Sequence, residues 1–145
     1  MTAFLITSIS GFFAAFLVVF TAVLPYLLRR RAELGGASAP ACGSLRGMGL
    51  HYCIGYLVFG VLLVHMLVSM QAGMARGASL TGLNLATLAL LLVMLQVVLG
   101  TTLMAGGPKA RPFKTAHFGM MLGIVALSAA HLALNSTLLR GLLPG

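Results

Sequence analysis

Four stretches of this 145-residue chain contain no charged side chain, and each is long enough to cross a lipid bilayer. They run Met1–Leu28, Gly47–Ala75, Gly77–Pro108 and Thr115–Leu139. A hydrocarbon core about 30 Å thick needs about 20 consecutive apolar residues in a helix. Inside lipid the backbone can satisfy its own polar groups only as helices or as a closed barrel. Barrel strands alternate apolar and polar residues, whereas these runs are continuously apolar. The sequence therefore predicts an all-α, integral-membrane, up-down four-helix bundle. It forms a single transmembrane domain over 1–145, with helices near 4–28, 48–70, 80–103 and 113–139.

Composition points the same way. Charged residues make up 7 % of the chain and hydrophobic ones 60 %, with a mean hydropathy of +1.08. A soluble domain carries about 25 % charged residues, so a water-soluble globule is excluded. Disorder, which needs low hydrophobicity and high charge, is excluded too. The net charge of +8 comes from nine Lys and Arg against one acid, Glu33. These cations sit in short clusters between apolar runs, which argues against a nucleic-acid partner. The first run lacks a basic leader and is followed by Arg29, Arg30 and Arg31, so it reads as a retained span, not a cleaved signal.

Cations also set the direction of the spans, because Lys and Arg accumulate on the cytoplasmic side. Arg29, Arg30, Arg31 and Arg46 flank the first loop, and Lys109, Arg111 and Lys114 the third. The opposite side holds only Arg76 and Arg140. Both basic loops are expected in the cytoplasm and both termini outside, with a bacterial inner membrane as the setting. Pro112 suits the first turn of the fourth helix. Pro25 lies where it could bend the first. The two cysteines, Cys42 and Cys53, form no CxxCH motif and no zinc-type pair. Cys53 reads as a small core residue.

The histidines carry the chemistry. His51 and His65 lie in the second span and His117 and His131 in the fourth, each pair 14 residues apart. Fourteen residues of helix fall about 40° short of four full turns, so both members of a pair face nearly the same way. They stand about 21 Å apart along the axis. Spans two and four run parallel, so His51 lies level with His117, and His65 with His131. Ionisable groups inside a membrane are costly and mark functional sites. A bare zinc or copper site wants three or four protein ligands close together, and each level offers two. Two axial imidazoles suit a six-coordinate haem, whose porphyrin supplies the other four nitrogens.

On these residues the chain resembles the transmembrane di-haem four-helix cytochromes b. That superfamily includes the haem-bearing half of the cytochrome b of respiratory bc complexes and the ferric-reductase-like membrane cytochromes. The matching features are His51-Tyr52-Cys53 through His65, and His117-Phe118-Gly119 through His131, on alternate spans. The resemblance covers nearly the whole chain. It departs from the large members in lacking a nucleotide-binding domain and the extra helices that build quinone sites. It implies two haem b groups. His51 and His117 would bind the inner iron, and His65 and His131 the outer one. The chain would then be an electron-transfer subunit of a membrane oxidoreductase complex, with no catalytic residues of its own.

Other residues follow from this expectation. Each imidazole should give its second N–H to an acceptor, for which the carbonyls of Gly47, Val61, Phe113 and Leu127, four residues earlier, are candidates. Gly55 and Gly119 would leave room for flat porphyrins, with Gly11, Gly60, Gly100 and Gly123 as further small positions. Arg46 and Lys114 are the inner candidates for haem carboxylates, and Arg76 and Arg140 the outer ones. Asn84, Gln96, Thr101, Thr102 and Asn135 could bind a quinone or join helices. With Glu33 as the sole carboxylate, proton chemistry is expected in partner subunits. The competing expectation is a haem-free helical subunit, either a small metal transporter or an assembly scaffold.

The topology has a direct test. In a chain whose only cysteine is the native Cys42, an impermeant thiol reagent is expected to label from the cytoplasmic face alone. A cysteine introduced at Gly77 in a cysteine-free background should label from the opposite face alone.

Overall fold

The computed structural model describes residues 2–34, 45–71, 78–105 and 110–136. They form four helices: α1 Thr2–Leu34, α2 Leu45–Gln71, α3 Leu80–Ala105 and α4 Ala110–Asn135. The segments long and apolar enough to cross a membrane are Leu5–Leu28, Gly49–Gln71, Leu80–Met104 and Pro112–Asn135. These match the spans expected from the charge-free runs. Two helix ends differ from expectation. α1 continues through the arginine cluster to Leu34, because Arg, Ala and Glu are good helix formers. The helix leaves the apolar span without unwinding. α4 ends at Asn135, and Ser136 is already non-helical.

The helices pack as two hairpins, α1 against α2 and α3 against α4, joined through α1–α4 and α2–α3 contacts. The order around the bundle is therefore α1, α2, α3, α4, and the two histidine-bearing helices face each other across the diagonal. The core is thin. Leu17, Val18, Val58, Val93 and Ile124 form its buried cluster, with Ile54, Phe59, Val61, Leu62, Leu92 and Val125 against it. Large apolar side chains point outward all round, among them Phe16 at 63 % exposure and Leu80 at 74 %. Such a surface would aggregate in water and is what a lipid-solvated bundle presents.

Helix periodicity explains which positions turn inward. Val58 follows His51 by seven residues, and Ile124 follows His117 by seven. Seven residues come to nearly two turns, so both buried residues lie on their histidine's face. Cys53 lies two residues from His51, about 200° round the helix. It is exposed and free, in place of the core position expected for it.

Polar groups within the spans find partners on the backbone. Thr21 Oγ1 donates to the Leu17 carbonyl at 2.7 Å, Ser69 Oγ to His65 at 2.7 Å, and Thr102 Oγ1 to Val98 at 2.9 Å. Such back-bonding keeps hydroxyls satisfied without water. The start of α3 is built more elaborately. Ser79 Oγ accepts the Gly82 N–H at 3.0 Å as an N-cap. Asn135, at the end of α4, accepts the Ser79 N–H at 2.9 Å and its hydroxyl at 3.2 Å. Gly82 leaves the space for that amide, since a Cβ there would overlap Asn135.

Two substitutions probe this latch. Asn135→Ala is expected to destabilise the bundle by about 1 kcal/mol, the range of interhelical hydrogen bonds in membranes, as measured by unfolding in mixed micelles. Gly82→Ala should also destabilise, although alanine is the better helix former by about 1 kcal/mol.

Candidate functional site

The inner pair of histidines meets. The His51 and His117 rings have centroids 6.1 Å apart and planes at 69°. Metal–imidazole bonds of about 2 Å, as at zinc, put two opposed rings on one metal roughly 6 Å apart. The angle is no obstacle, because each ring can rotate about the metal–nitrogen axis. Both rings line an open cleft of about 70 Å³, to which all four helices contribute. That is well below the roughly 300–1,000 Å³ of a typical ligand pocket. The cleft wall is mostly apolar, from Val18, Val58, Val93, Val97, Met121 and Ile124, with Tyr52 and Tyr56 to one side.

Three buried polar atoms on residues that line this cleft have no hydrogen-bond partner: His51 Nδ1, His117 Nδ1 and Gln96 Oε1. A buried acceptor or donor left unmade costs about 1–3 kcal/mol. Neighbouring groups are fixed. Gln96 Nε2 donates to the His117 carbonyl at 2.9 Å, and the Tyr52 hydroxyl donates to the Gly100 carbonyl at 2.9 Å. A Cβ on Gly100 would make ordinary contacts, 3.5 Å from Tyr52 and 3.8 Å from His117.

The outer pair is held differently. His65 Nδ1 lies 3.0 Å from Ser10 Oγ on α1. Its ring rests on Gly11, where a Cβ would come within 2.9 Å of Cε1. His131 Nδ1 lies 2.8 Å from the Gly82 carbonyl on α3 and 3.2 Å from Asn135 Nδ2. The partners of these two nitrogens are thus on neighbouring helices, not at the expected Val61 and Leu127 carbonyls. A carbonyl four residues back already accepts its own helical N–H, whereas a close neighbouring helix offers a fresh oxygen. At the inner level the Gly47 and Phe113 carbonyls do not serve either, since both Nδ1 atoms are unpartnered.

Gly55 lines the inner cleft with open space over its Cα, and Gly119 is also open. The glycines that histidine rings lie against are Gly11 and Gly100. Gly123 only touches Leu92, at 3.5 Å. Lys114 is exposed, three residues before His117 on α4. Arg76, Lys109, Arg140, Cys42, the segments 35–40 and 106–108, and the side chains of Glu33, Arg46 and Arg111 lie outside the described residues. Ser10 was not legible as a site residue, because one serine in an apolar run carries no pattern. Gln96 was legible only as a polar residue in span three. Among the described residues no three His, Cys, Asp or Glu come together. No protein-family model, curated protein or solved structure matches the chain.

The unpartnered nitrogens set a trade-off between binding and stability. His51→Leu is expected to raise the thermal stability of ligand-free chain by about 1 kcal/mol, from the buried nitrogen removed. Thermal unfolding in detergent measures it.

Proposed function

We propose that this chain is the di-haem cytochrome b subunit of a membrane oxidoreductase complex, passing electrons across the bilayer. The observation that carries this reading is the His51–His117 pair, 6.1 Å apart on diagonal helices with both Nδ1 atoms buried and unpartnered. His51 and His117 hold the inner iron. His65 and His131, about 21 Å further along the same helices, hold the outer one. Haem iron bound at these levels supplies a reversible one-electron couple at two depths of the membrane.

The chain's own residues do the rest. With two imidazoles holding a haem at one level, no position would be left on it for oxygen or substrate. Gly55 and Gly100 keep side-chain bulk out of the inner cleft. Val18, Val58, Val93 and Ile124 exclude water between the levels. Lys114, with Arg46 as its counterpart on α2, is placed in sequence to meet carboxylates at the basic end. The setting proposed is a bacterial inner membrane, with basic loops cytoplasmic and both termini outside. Substrate and proton chemistry, including any exchange with quinone, then belongs to partner subunits.

Purified chain is expected to carry about two haems and a sharp α-band on reduction, counted by extracting haem against protein mass. His65→Ala should halve that content and leave the inner haem bound. A colourless protein, or loss of both haems or neither, would defeat the reading.

A further inference from the structure

We propose that Ser10 is a positioning residue of the outer histidine level, selecting which nitrogen of His65 ligates. This rests on the di-haem reading for its ligand, though the chemistry that points to it lies in the chain itself. Ser10 Oγ has one hydrogen, and it is directed at the Thr7 carbonyl, 3.0 Å away. Toward His65 the hydroxyl can therefore offer only a lone pair. The Nδ1 atom 3.0 Å from it must carry the proton, and Nε2 is left as the bare nitrogen.

His131 reaches the same state by another route. Its Nδ1 lies 2.8 Å from the Gly82 carbonyl, an oxygen that can only accept. The Asn135 amide takes the Ser79 N–H on its Oδ1 and so turns its donor Nδ2 toward the same His131 nitrogen, at the longer distance of 3.2 Å; the shorter contact, to an oxygen that can only accept, is the one that places the proton on Nδ1. Each outer histidine thus has its tautomer set from a helix that bears no histidine, α1 for one and α3 for the other. The inner pair has no such partners.

An imidazole whose N–H is donated to an acceptor is a more basic ligand and favours the oxidised metal. Removing the Ser10 hydroxyl should therefore raise the reduction potential of the outer haem alone. The test is a redox titration of the full-length chain in detergent, comparing Ser10→Ala with Ser10→Thr. The band missing in His65→Ala identifies the outer haem. Ser10→Ala is expected to shift that band upward and leave the inner one in place, and Ser10→Thr to titrate as wild type. Loss of the outer haem in Ser10→Ala with retention in Ser10→Thr supports the same role. Unchanged potentials in Ser10→Ala, or equal effects of the two variants, overturn it. If the wild-type chain is colourless, the di-haem reading fails. Nitrogen-15 imidazole shifts of that same sample then decide the Ser10 role, and a His65 protonated on Nε2 overturns it.

Discussion

The four helices are long and apolar enough to cross a membrane, where a polar group has no water to fall back on, and that constraint accounts for how the described residues are bonded. Hydroxyls bond back to their own helix, as Thr21 does to Leu17. Amides reach across, as Asn135 does to Ser79 and Gln96 to His117. Against that background of near-complete satisfaction, His51, His117 and Gln96 stand out. They line one cleft and carry unpartnered atoms, in a chain with almost no other unsatisfied polar groups among its described residues.

The two histidine levels solve one placement problem in different ways. At the inner level the rings face each other over open volume, and the supporting bonds hold the backbone and the neighbouring Tyr52. At the outer level the rings are pinned by the helices beside them, with Gly11 and Gly82 giving up side chains so that the bonds can form. A glycine therefore does different work at each end. Gly100 stands in ordinary contact with Tyr52 and His117, whereas Gly82 makes room for the amide that holds the hairpin.

Much of this was legible in the sequence because charge and hydropathy act over whole spans. Ten charged residues sufficed to delimit four helices, and the 14-residue spacing placed both histidine pairs on inward faces, as buried Val58 and Ile124 bear out. The illegible part depends on which helices are neighbours. The acceptors for His65 and His131 come from α1 and α3, and no local pattern announces Ser10 or the Gly82 carbonyl. Cys53 was misplaced for a related reason. Its apolar character suits core and lipid equally, and only the rotation from His51 decides between them.

Between the two levels all four helices contribute buried residues to a waist: Leu17 and Val18 from α1, Val58 from α2, Val93 from α3 and Ile124 from α4. These side chains offer neither a lone pair nor a hydrogen to pass on. A chain of waters or carboxylates would be needed to carry a proton through this region, and charges there are costly. In a bundle that spans a bilayer, such a waist offers ions no polar path from one histidine level to the other.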